Sequence, residues 1–130
     1  MKKLFIAALL LVFSMSAFAS GPYDGIWIVE EEPNVGYIMV VENNEQQIIV
    51  VNLGLPGYGE ERLIWEAMSG FRTNNTVRLS TIVTDTGNAV VDVSMSSLTT
   101  GTVTVVQCEP FSDYYCAVPV GSQYHIRKIW

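Results

Sequence analysis

The chain has 130 residues, of which 49% are hydrophobic, with 7 basic residues against 13 acidic ones and a net charge of −6 that falls to −8 over residues 20–130, where Lys2 and Lys3 drop out. A field of that sign repels phosphate backbones and anionic lipid surfaces, and the remaining basic residues are scattered, which excludes nucleic acid as a partner. The length allows one core and leaves no room for a second domain.

The first predicted element is a secretory signal over residues 1–19. Lys2 and Lys3 supply its basic start, Leu4 to Phe13 its apolar run, and Ala17-Phe18-Ala19 a small-x-small cleavage site before Ser20. The apolar run is about half the ~20 residues that a membrane span needs, and no cysteine near the junction offers a place for a lipid. These features predict cleavage after Ala19, a periplasmic or extracellular protein, and no stable membrane anchor. The Met-Lys-Lys opening is of bacterial type.

Residues 20–130 then read as a single all-β domain, because short β-branched runs recur between turn signals and long stretches of helical spacing are missing. The first strand runs from about Asp24 to Glu30 and ends at Pro33-Asn34. Gly36 to Glu42 alternates so that Tyr37, Met39 and Val41 share a face. After Asn43, Asn44 and Glu45 comes Gln47 to Leu53, then a glycine-rich connection from Gly54 to Gly59. Glu61 to Met68 is predicted as the fourth strand, with Leu63, Trp65 and Ala67 on one face and Gly70 to Asn75 following as a loop. Thr76 to Val83 leads through the hairpin signal Asp85-Thr86-Gly87 into Asn88 to Met95. Gly101 to Cys108 and Gln123 to Trp130 complete eight strands.

Short connections favour an antiparallel up-and-down meander, and eight such strands can curl shut and remove their edges. Closure also gives the apolar ending Ile126 to Trp130 a neighbour in the first strand. The predicted architecture is therefore a small barrel, with a two-sheet β-sandwich as the alternative. Cys108 and Cys116, the only cysteines, are predicted to form one disulfide, since a redox pair favours two intervening residues and zinc would need further ligands from a chain with one histidine.

Gly25-Ile26-Trp27 on the first strand, together with Arg127 on the last, resembles the calycin pattern of lipocalins and avidins. The resemblance implies that Trp27 plugs the closed end of the barrel while the Arg127 guanidinium stacks on its indole, and that Gly25, Trp27 and Arg127 are structural. No lipocalin second motif and no biotin-type polar set accompany it. Gly-x-Trp, Pro33, Gly36-Tyr37 and Ile64-Trp65 are also similar to small exported bacterial β-domains, a likeness that supplies no activity.

Several motifs carry chemistry elsewhere and a plainer reading here. Asp85-Thr86-Gly87 matches the aspartic-protease triplet, but Thr84 stands where an apolar residue is needed, so a turn is predicted. His125 has no Gly-x-Ser-x-Gly elbow to serve and is expected to face solvent or the barrel rim. Glu30-Glu31-Glu32 would point to different sides of an extended segment, which suits a solvated strand end better than a cation site. Carboxylates of these residues or of Glu60, Glu61 and Glu66 leave an envelope hydrolase open. Tyr58, Phe71, Phe111, Tyr114 and Tyr115 all fall in predicted loops, where aromatic side chains bind ligands or cap barrel ends.

The functional expectation is a monomeric, non-enzymatic binding module without cofactor or metal. Its predicted partner is a small apolar ligand in the barrel mouth, with Tyr58 and Phe71 at the rim. A barrel filled by Met39, Leu63, Trp65 and Met95 would leave no such space. The alternative is an interaction or inhibitor module that offers the 108–116 loop to an envelope or extracellular protein.

Overall fold

The computed structural model describes residues 21–33, 36–43, 47–53, 65–84, 87–112, 116 and 119–130. Among them lie eight strands: β1 (Gly25–Val29), β2 (Tyr37–Asn43), β3 (Gln47–Leu53), β4 (Trp65–Thr73), β5 (Thr76–Thr84), β6 (Gly87–Met95), β7 (Thr100–Pro110) and β8 (Gln123–Lys128). Each pairs antiparallel with its neighbours in sequence, and β1 pairs with β8, so the sheet closes on itself as a barrel rather than splitting into two facing layers. No helix of the described residues is long and apolar enough to cross a membrane.

The boundaries follow the turn chemistry with one exception. Gly70 to Thr73, expected in a loop, belongs to β4, and the connection to β5 shrinks to Asn74-Asn75. Gly70 does not break the strand. It is the residue at which the backbone of β5 comes closest, since a Cβ built there would lie 1.9 Å from the Arg78 carbonyl oxygen. Asn74 turns the chain at φ 55°, a conformation that asparagine tolerates.

Alternation sorts the side chains into an inner and an outer face. Trp27, Val40, Ile48, Val77, Leu79, Val93, Met95 and Ile126 are buried in one core cluster with Tyr23 from the segment before β1. Tyr37, Met39 and Val41 do share a face, but it is the outer one, where all three are exposed. Of the four residues whose inward packing would leave no space for a ligand, Met39 is exposed and Met95 is in the core; Leu63 and the Trp65 side chain lie outside the described residues. The inner face of β2 is Ile38, Val40 and Glu42, the last a buried carboxylate.

The two ends of the barrel differ. The start of β1, the end of β8 and the connections β2–β3, β4–β5 and β6–β7 lie at one end, called here the floor. At the other, called here the mouth, lie the ends of β1, β3, β5 and β7 and the starts of β2, β4, β6 and β8.

Candidate functional site

The floor is built around Trp27. Its indole is completely buried, and Nε1 donates to the Tyr23 carbonyl oxygen at 3.0 Å, which satisfies its one polar atom. The cation over the ring is Lys128, with Nζ 6.0 Å from the centroid. Arg127, expected in that place, sits on the outer face half exposed and pairs with Glu30 Oε1 at 3.2 Å. Register gives the reason: Trp27 faces Lys128 across the β1–β8 ladder, and a neighbour one residue away points to the other side. Because Ile126 is buried, parity along β8 alone would have assigned Lys128 to the inside.

Gly25 lets β1 approach the segment that follows β8. It sits at φ 143°, and the Trp130 carbonyl oxygen accepts the Ile26 amide beside it at 2.8 Å; a Cβ on Gly25 would lie 2.1 Å from that oxygen. Above this seam Glu42 Oε1 accepts from Arg72 Nε at 2.8 Å and from Nη2. The Arg72 guanidinium also lies 5.3 Å from the Tyr23 ring centroid and donates through Nη1 to the Asn74 carbonyl at 2.6 Å.

Beside the core cluster the inner face stays apolar but is less completely covered. Val29, Ile38, Met68, Val91 and Val103 pack on the core cluster and remain only partly buried. Cross-strand partners fix their direction: Ile38 faces Trp27, Val91 faces Leu79, and Val103 faces Val93, all buried. In a filled barrel an inward side chain is cut off from water. The nine residues of the core cluster are, whereas these five keep partial contact with water. Thr84, at the mouth end of β5, accepts the Gly87 amide at 3.1 Å and lies 3.5 Å from Glu66 Oε1 on the neighbouring strand, which makes the rim polar.

The five aromatic residues do not form one group. Phe71 lies near the floor end of β4, exposed on the outer face, and not at the rim. It borders an outer groove of about 670 Å³ whose other walls include Thr73, Arg78, Asp92, Ser94 and Thr102. Phe111 is exposed at the mouth, directly after β7. Tyr58, Tyr114 and Tyr115 lie outside the described residues. Cys108 and Cys116 are joined, with a Cα–Cα distance of 6.2 Å, which ties the mouth end of β7 to its return toward β8. Such a bond persists in an oxidising compartment.

The acidic run at the mouth is not merely solvated. The Glu30 amide donates to the His125 carbonyl at 2.8 Å, while the Glu31 carboxylate accepts the His125 amide at 2.9 Å and meets its Nδ1 at 2.5 Å. The backbone N–H of His125, and then its ring, hold the Glu31 carboxyl below its ordinary pKa. Glu30 and Glu31 thus lash the end of β1 to β8, the first through Arg127 and the second through His125 on the outer face of that strand. Among the described residues no group of three or more His, Cys, Asp or Glu could hold a metal ion.

Sequence reasoning missed these five partly open residues and the Glu42–Arg72 pair. The first were hidden because β2 is apolar on both faces, so alternation alone does not say which face turns inward. The second joins residues 30 positions apart on strands that are not adjacent. Comparison of the chain with protein-family models, curated proteins and solved structures finds no match.

Proposed function

We propose that residues 20–130 are an exported, non-enzymatic binding module that takes a small apolar ligand in an apolar cup inside the barrel. The observation that supports this reading is the set Val29, Ile38, Met68, Val91 and Val103, five apolar side chains that pack on the core and stay partly open to water. Exposed apolar surface inside a concave wall gains free energy by exchanging water for an apolar guest, at about 25 cal/mol per Å² buried. The half-polar rim at Thr84 and Glu66 suits a ligand with one hydrogen-bonding end.

Export rests on the residue 1–19 signal pattern and agrees with the closed disulfide. A calycin-like ancestry is part of the same proposal. It is supported by Trp27 at the floor and departs from the pattern in using Lys128 as the cation over the indole.

The test is thermal denaturation of the purified protein with a panel of long-chain fatty alcohols, fatty acids and aromatic hydrocarbons. A ligand bound by the folded state raises Tm with the logarithm of its concentration. The expected result is such a rise with at least one apolar member, lost in Val103→Trp and in Val91→Phe, which fill the cup. A flat response across the panel would sink the proposal in favour of a protein partner bound by the 108–116 loop.

A further inference from the structure

A second concave surface lies on the outside of the barrel, where differences in side-chain length shape it. The outer face of β4 to β8 carries short hydroxyl side chains in the middle, Ser94 on β6 and Thr102 and Thr104 on β7. Longer ones flank them: Phe71 and Arg78 on the β4–β5 side, and Gln123 on β8, whose Nε2 lies 3.4 Å from Thr104 Oγ1. The result is the groove of about 670 Å³ that Phe71 borders, inside the ~300–1,000 Å³ range of small-molecule sites. Register holds its lining in two rows across the sheet. Thr73, Thr76, Ser94 and Thr102 face one another in turn along the first. Arg78, Asp92, Thr104 and Gln123 do so along the second.

We propose that this groove binds a neutral saccharide. Charge is the first reason. Arg78 and Asp92 are the only ionisable residues among its walls, and Arg78 Nε and Nη2 donate to Asp92 Oδ1 and Oδ2 at 2.7 and 2.8 Å, so the two charges cancel and an ionic ligand would have to separate them. Hydrogen bonding is the second. A guanidinium has five N–H donors and a carboxylate about four acceptor sites, and the pair spends two of each on itself, which leaves donors and acceptors side by side. Neighbouring sugar hydroxyls, each a donor and an acceptor at once, match that array, and the Thr76, Ser94 and Thr102 hydroxyls extend it along the adjacent row. The third reason is Phe71, 75% exposed, whose ring offers a flat apolar face and no polar atom. The C–H face of a sugar ring covers such a platform while its hydroxyls stay with the polar rows. A wholly apolar ligand would cover those rows without partners for them, and a wholly polar one would gain nothing from Phe71. The groove lies on the opposite face of the sheet from the proposed cup and does not depend on it.

The experiment titrates the isotope-labelled protein with cellotetraose, maltotetraose and chitotetraose at low and high salt, following backbone amide shifts by NMR. Saturable shifts are expected with at least one sugar at Phe71, Arg78, Asp92, Ser94 and Thr102, with an affinity that salt leaves unchanged because no net charge is paired. Phe71→Ala and Arg78→Ala are each expected to weaken binding by about tenfold or more. Both side chains project into solvent, so each variant should keep the parent's amide positions at the buried Trp27 and Leu79. Saturation by none of the three sugars overturns the proposal, as do shifts confined to the mouth. An affinity that falls steeply with salt overturns it in favour of an ionic ligand, and binding that survives both substitutions moves the sugar to another surface.

Discussion

Two arginine–carboxylate pairs show how burial decides what a charge is worth. Arg72 and Glu42 have side chains 13% and 1% exposed, whereas Arg78 and Asp92, facing each other across β5 and β6, are 62% and 44% exposed. Removing Arg72 strands a buried carboxylate, and Arg72→Ala should cost about 3–5 kcal/mol in urea denaturation. Arg78→Ala should leave Tm close to that of the unsubstituted protein, because water and salt already screen that pair. Asp92 nonetheless titrates below its ordinary range, chiefly through the hydrogen bond from Arg78, as Glu31 does through His125. Both shifts have the same consequence. A carboxyl with a depressed folded pKa stabilises fully above its unfolded value, near 4.5 for Glu31 and 3.8 for Asp92, and the contribution fades as pH falls through the folded value. Lowering the pH from about 5 to 3 should therefore lower Tm, and Glu31→Gln should shallow that slope; an unchanged slope would mean that the clasp on β8 does not persist in solution.

At the scale of the strand, the disulfide and Phe71 belong to opposite ends and should behave independently. Paired Cys108→Ser and Cys116→Ser replacement opens a short ring at the mouth, with an expected loss of about 2.5 kcal/mol by chain-entropy arithmetic and an unchanged far-ultraviolet β spectrum. Phe71→Ala should leave the affinity for a cup ligand as it was, since Phe71 lies outside the barrel near the floor; a loss of affinity would move the site to the outer groove. These two residues also mark what the sequence could and could not say. Strand number, order and most boundaries were legible because β-branched runs stop at turn residues, and β3 was read at Gln47–Leu53 as found. Phe71 falls in the predicted loop from Gly70 to Asn75 but on the observed β4, where the missing side chain of Gly70 makes room for the Arg78 carbonyl. Face membership was legible in β2, but the direction of the faces was not. Ile38 and Val40 are as apolar as Met39 and Val41, and the inward carboxylate of Glu42 is explained only by an arginine from another strand. Of the candidate site, the floor tryptophan could be read from Gly-x-Trp, while the choice of Lys128 over Arg127 follows once Ile126 is known to face inward, since Lys128 shares its parity along β8.

The molecule as a whole is defined by the ladder that joins its first and last strands. Trp27 faces Lys128, Ile28 faces Arg127 and Val29 faces Ile126, and the Ile26 carbonyl accepts the Ile129 amide at 2.8 Å. Every other strand pairing links neighbours in sequence, so its loop-closure entropy is small, whereas this one draws together the two ends of the domain. Local hairpins can form early in any order, and the seam is left to the end because its contacts repay their entropy only when the rest of the sheet is curled. Interactions absent from the folding transition state act on unfolding alone. Ile126, buried in the core and paired with Val29 at the seam, provides the test. Ile126→Ala should destabilise by about 2–4 kcal/mol, nearly all of it as faster unfolding, with a folding rate close to that of the parent. Leu79→Ala, in the β4–β6 meander and almost fully buried, should instead slow folding as well. If Ile126→Ala slowed folding as much as Leu79→Ala, the barrel would have to close before its hairpins were built, and the seam would be the nucleus rather than the last step.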